Sequence, residues 1–150
     1  MKSIREYVSK HPLEVQTFFA MVDATSRLIG HSEKYWSSKG LNGARIRLLV
    51  EIAKEGGSIL PSVLADRIGV TRANISVLLV PLEEQGYIQI TGHPEDGRKR
   101  SIALTPEGEN LLWAELPGNR EVIAKNMSML DETEMRHLLS LMSKLSGEAE

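Results

Sequence analysis

The stretch LPSVLADRIGVTRANISVLLVPLEEQGYIQITGHPEDGRKRSIALT, Leu60 to Thr105, decides the fold. Leu60–Ile68 reads as a short helix opened by Pro61, a residue suited to a first helical turn. Val63, Leu64 and Ile68 are expected to face inward, with Ala65 small enough for a close helix crossing. Gly69–Val70 reads as a tight turn, where a left-handed backbone is cheap for glycine. Thr71–Gln85 reads as a second helix, capped by Thr71 and ended at Gly86. Its core stripe is Ile75, Leu78, Leu79 and Leu82, which leaves Arg72, Ala73, Asn74, Ser76 and Val77 facing outward. Tyr87–Leu104 reads as a two-stranded hairpin with turn residues Pro94 and Gly97 and a charged tip.

Helix, short turn, helix is the arrangement that lays a second helix in the DNA major groove. A hairpin directly after it, tipped by Asp96, Gly97, Arg98, Lys99 and Arg100, can reach flanking phosphates or the minor groove. The expected fold class is therefore mainly α with a small antiparallel β wing, a winged helix-turn-helix.

The flanks extend this pattern. Leu13 to about Trp36 reads as a long helix with an apolar stripe closed by Gly40. Asn42 can cap the next helix, whose buried face is expected to be Ile46, Leu49, Val50 and Ala53. Ser58–Ile59 reads as a third strand of the wing sheet. Thr105, Pro106 and Glu107 open a further helix, which Pro117–Gly118 are expected to kink or interrupt. Asp131 and Glu134 have capping-box spacing before a last helix that is apolar on more than one side. The terminal helices carry more apolar surface than a small central core can bury, which calls for a partner; a second copy related by a two-fold axis is the commonest.

Composition bounds the rest. At 150 residues, 41% hydrophobic and 25% charged, the chain suits one domain with a real core. No apolar run approaches the roughly 20 residues that span a bilayer. Met1–His11 has no apolar signal core, so cytoplasmic placement is the default expectation. The sequence holds no cysteine, which removes disulfides, thiol sensing and thiolate metal ligation. His11, His31, His93 and His137 show no paired ligand spacing, so no metal and no cofactor are expected. Trp36 and Trp113, at helical spacing, read as core before effector-pocket lining. Met127, Met129, Met135 and Met142 read as adaptable packing in a dimer interface. With no glycine-rich phosphate loop and no Ser–His–acid set, an enzyme is not indicated.

In order and spacing the chain resembles the MarR (multiple antibiotic resistance regulator) family of transcription factors. The motifs are Leu64-Ala65-Asp66-Arg67-Ile68-Gly69-Val70-Thr71, Leu82-Glu83-Glu84-Gln85-Gly86-Tyr87-Ile88, the Asp96-Gly97-Arg98 wing signature, and Leu104-Thr105-Pro106-Glu107-Gly108. The resemblance implies a homodimer on a pseudo-palindromic operator, usually repressing and in many members released by a small, often anionic aromatic effector bound between the dimer and DNA-binding regions. Residues 1–40 would then be an N-terminal dimerisation helix, 41–105 the DNA-binding domain and 106–150 the C-terminal dimerisation helices. Arg98 would enter the minor groove, with Asp96 orienting the wing. Lys99 and Arg100 suit phosphates. Asn74 suits adenine, and Arg72 guanine or phosphate; Thr71 and Ser76 can reach phosphates at the helix N-terminus. Two departures stand out: Pro81 inside the second helix, and Val77 where a polar side chain is common, which suits a thymine methyl instead. The competing class is a winged helix used for protein–protein interaction without DNA.

Overall fold

The computed structural model describes residues 3–92 and 100–147. Along the chain lie α1 (Ile4–Ser9), α2 (Leu13–Ser38), α3 (Gly43–Lys54), β1 (Ser58–Ile59), α4 (Pro61–Ile68) and α5 (Arg72–Glu84). They are followed by β2 (Ile88–Thr91), β3 (Ser101–Leu104), α6 (Pro106–Met127) and α7 (Glu132–Ser146). The chain divides into two compact units, residues 32–119 and residues 1–31 with 120–150.

The first unit holds the core. Asn42 caps α3, its side-chain oxygen accepting the Arg45 N–H at 2.9 Å. Ile46, Leu48, Leu49 and Ile52 are buried on α3. The expected face included Ala53, which is exposed, and omitted Leu48 and Ile52. The helix packs against both α4 and β3, so its covered side is rotated toward Leu48 and Ile52, and Ala53 falls on the exposed side of the last turn. On α4, Leu64 and Ala65 are buried and Ile68 half-buried. Val63, expected inward, is 36% exposed, because it lies a quarter turn off the line that Leu64 and Ile68 share. Gly69 ends α4 at φ 74°, ψ 37°, the left-handed conformation its position demands.

The three strands form an antiparallel sheet in the order β1-β3-β2. Ile102 on the central strand pairs with Ile59 on one side and Ile90 on the other and is wholly buried. Thr105 joins this sheet to α6. Its hydroxyl donates to the Gly86 carbonyl at 2.5 Å and accepts the Gly108 N–H at 3.1 Å, while its own N–H donates to the Tyr87 carbonyl at 3.0 Å. Gly108 is buried, and a Cβ there would run into the Tyr87 carbonyl oxygen.

Of the kink or interruption expected at Pro117–Gly118, the interruption is absent: α6 runs on from Pro106 to Met127. Pro117 deprives the Trp113 carbonyl of its helical donor, but Trp113 is 74% exposed, so solvent reaches that turn. Gly118 lies against the Tyr35 ring, whose hydroxyl donates to the Glu115 carbonyl at 2.9 Å. Trp36 is buried in the core as read, whereas Trp113 is a surface residue and not core.

In the second unit no described residue is buried. Phe18, Phe19, Ile29, Leu139 and Leu145 are each at least half exposed. Its sharpest local signal is the box at α7: the Asp131 carboxylate accepts the Glu134 N–H at 2.8 Å, and the Glu134 carboxylate accepts the Asp131 N–H at 3.0 Å.

Gly108→Ala is expected to lower stability by about 1–3 kcal/mol, the usual result of forcing atoms into filled space. Urea unfolding of the variant measures it, and an unchanged midpoint would show that the α6 start has room to give.

Candidate nucleic-acid interface

The side chains singled out on α5 are placed by its amphipathic split. Thr71 is extended at φ −76°, ψ 160°, and its Oγ1 accepts the Asn74 N–H at 3.2 Å. One face is then spent on the core: Ile75 is 0%, Leu79 3% and Leu82 1% exposed, with Leu78 half-buried. Arg72, Ala73, Asn74, Ser76 and Val77 are all exposed on the remaining sides, as the spacing predicts. Ser76 Oγ is turned back on its own helix, donating to the Arg72 carbonyl at 3.3 Å.

Sequence reasoning missed Val80, which is 52% exposed. The signal was available: Val80 stands three residues beyond Val77 and seven beyond Ala73, on one helical line. Pro81 does not end the helix, which continues to Glu84. The carbonyl it leaves without a donor belongs to Val77, itself 70% exposed, so water can take the place of the missing N–H.

The charged side chains around α5 have separate employments. Arg67 is ion-paired with Glu55, and Arg47 donates to the Arg67 carbonyl at 3.4 Å; both are turned to the α3–α4 contact. The Glu83 carboxylate accepts the Ile90 N–H at 3.1 Å, fastening the end of α5 to β2. Arg72 stands at the start of α5 on the exposed side. Arg100, just before β3, is half-buried, and its Nε has no hydrogen-bond partner among the described residues. The hairpin tip from His93 to Lys99, with Asp96, Arg98 and Lys99, lies outside the described residues.

Among the described residues no group of His, Asp or Glu side chains gathers as a metal site. No described helix is long and apolar enough to cross a membrane.

Two helices joined by a tight turn, the second exposed along one face and followed by the β2–β3 pair of a three-stranded sheet, define a winged helix-turn-helix. A MarR family profile matches residues 39–99. The HTH-type transcriptional repressor YetL of Bacillus subtilis is 30% identical over 133 residues, 87% of this chain and 79% of that protein. The fold is shared with Sco3205, a MarR family regulator from Streptomyces coelicolor solved in complex with DNA. That likeness has a TM-score of 0.81 and 22% identity, over 91% of this chain and 88% of that one. It is shared too with BpsR of Bordetella bronchiseptica, described as regulated in its DNA binding by 6-hydroxynicotinic acid, with a TM-score of 0.77, 18% identity, and 87% and 98% coverage. The chain belongs to the MarR family, and it is a DNA-binding transcriptional regulator.

Because the Thr71 side chain occupies an otherwise orphaned helix donor, Thr71→Ala is expected to cost about 1 kcal/mol of stability. Thr71→Ser should retain most of it. Urea unfolding of the two variants side by side checks this; equal losses would mean that the cap bond contributes nothing.

Proposed function

We propose that the chain is a homodimeric repressor that binds a pseudo-palindromic operator, one winged domain per half-site, and is released by a small-molecule effector. The observation that carries the reading is the split of α5: one face wholly consumed by the core, the other exposed over its N-terminal half. A helix so held can enter the major groove without disturbing its own packing.

In this reading Arg72 and Asn74 meet base edges, Thr71 and Ser76 lie nearest the phosphates, and Ala73 and Val77 make apolar contact. Arg98 enters the minor groove, Asp96 orients it, and Lys99 and Arg100 meet phosphates. The assignment of the tip rests on the Asp-x-Arg spacing in the sequence. Residues 1–40 and 106–150 form the dimer. This is supported by the absence of any buried residue among the described part of 1–31 and 120–150, and by the large apolar side chains exposed there. Release by an effector is supported by the family and by BpsR, whose DNA binding is regulated by 6-hydroxynicotinic acid, a small aromatic acid.

Selection from random duplex DNA tests the whole reading. A palindrome with half-sites about one helical turn apart, roughly 34–36 Å, is expected, and affinity for it should fall steeply with salt as counterions are released. Salt-independent binding, or none, would favour a protein-interaction module instead. Arg98→Ala should weaken binding to the selected duplex by about tenfold or more, in line with one lost groove contact, while leaving the oligomeric state intact. Unchanged affinity in a gel-shift titration would overturn the wing assignment.

Ending the chain at Met129 should give monomeric or insoluble protein, since α7 and its apolar residues are lost. Light scattering reads the outcome, and a soluble dimer would remove α7 from the interface.

A further inference from the structure

The outermost line of α5, opposite Ile75 and Leu82, is formed by Ala73, Val77 and Val80. All three are aliphatic, none carries a hydrogen-bond donor or acceptor on its side chain, and Val77 and Val80 are 70% and 52% exposed. The polar side chains nearest this line are partly occupied. Thr71 Oγ1 accepts from Asn74 N–H, and the Ser76 hydroxyl proton is given to the Arg72 carbonyl. Arg72 and Asn74 remain for base edges, and they flank the line on opposite sides.

In the major groove, a hydrocarbon offered by one base alone is the C5-methyl of thymine. Along a helix, Ala73 to Val80 spans about 10 Å, which is about three base-pair rises of about 3.4 Å. We propose that Ala73, Val77 and Val80 form an apolar reading edge for thymine methyl groups, so that each operator half-site presents thymines to this line and is discriminated there by methyl contact. The inference rests on the DNA-binding reading above and adds the base chemistry of the target. Buried aliphatic side chains at these positions would gain nothing from guanine O6 or cytosine N4, and would leave those groups unpaired and dehydrated. The cation at Arg72 supplies the attraction to the duplex that an aliphatic edge lacks.

The test uses the full-length protein and a duplex selected from random sequence. Deoxyuridine replaces one thymidine at a time, which deletes the methyl and alters no hydrogen bond. Each duplex is titrated with the native protein, Val77→Ala and Val80→Ala. At least one replacement per half-site should weaken native binding by about fourfold, the effect of about one methyl's worth of lost burial. The same replacement should have less than a twofold effect on Val77→Ala or Val80→Ala, because the contact is already gone. Both variants alter exposed helix positions and introduce a better helix former, and the DNA substitution is independent of protein folding in any case. If every uracil duplex binds the native protein as tightly as the thymine duplex, the apolar edge is refuted while duplex recognition stands. If a replacement weakens all three proteins equally, another residue reads that methyl and the assignment fails. If selection recovers no sequence, the regulator reading and this one fall together.

Discussion

Helix α5 is held by Ile75, Leu79 and Leu82, three side chains sunk almost completely into the core that α3, α4 and the sheet provide. Burying each contributes about 1.5–3 kcal/mol relative to exposure, far more than a single surface hydrogen bond. The rotation of the helix about its own axis is therefore set from beneath. Turning α5 by one residue would bring Ser76 or Val80 into the core and expel a leucine or isoleucine. Whatever α5 presents to a partner follows from that constraint and not from the exposed residues themselves, which can be changed without moving the scaffold.

Thr105 gives the same constraint a second anchor. One hydroxyl joins the carbonyl of Gly86, just past α5, to the N–H of Gly108 in the first turn of α6. The Thr105 N–H meanwhile takes the Tyr87 carbonyl. The end of α5, the foot of the hairpin and the start of α6 are thus tied within a few ångströms. Glu83 adds a fourth tie from α5 to the β2 backbone at Ile90. A strand pair rooted in this way has its direction settled relative to α5 before its tip is considered, because register on β3 leaves Ile102 between Ile59 and Ile90 and nowhere else.

Features that rest on neighbouring residues were legible in the sequence. The Thr71 and Asn42 caps, the Gly69 turn, the Asp131–Glu134 box and the short Ser58–Ile59 strand all appear where local chemistry placed them. Features that depend on which side of a helix is covered were not. Leu48 and Ile52 are buried because α3 has neighbours on two sides, and periodicity alone cannot say how wide a covered face is. Val63 and Trp113 are apolar residues at helical spacing that their own unit leaves 36% and 74% exposed. Pro117 broke a local rule without breaking the helix, because its missing bond falls on an exposed turn, while Tyr35 donates to the Glu115 carbonyl two residues further on. On α5 the polar residues mark the outward side near the N-terminus, whereas Val80 carries no polar signal and is placed outward only by its helical line with Ala73 and Val77.

Charge decides how such a surface can work. The chain carries a formal net charge of −2, and between Leu60 and Thr105 the cations and the acids cancel. Arg67 is further withdrawn by its pairing with Glu55. What remains on α5 is a gradient: Arg72 at the start, where the helix dipole is already positive, and Glu83 and Glu84 at the far end. A phosphate backbone attracts the first and repels the second, which favours an approach with the Arg72 end of α5 nearest the phosphates. A balanced chain also has little sequence-independent affinity to draw on, since that component scales with the phosphates neutralised. Under the reading proposed here, a larger share of the binding free energy must come from base edges than in a strongly basic regulator. An aliphatic line on the groove-facing side of α5 is then a means of selectivity that adds no charge, and it is compatible with a protein that leaves non-target DNA alone.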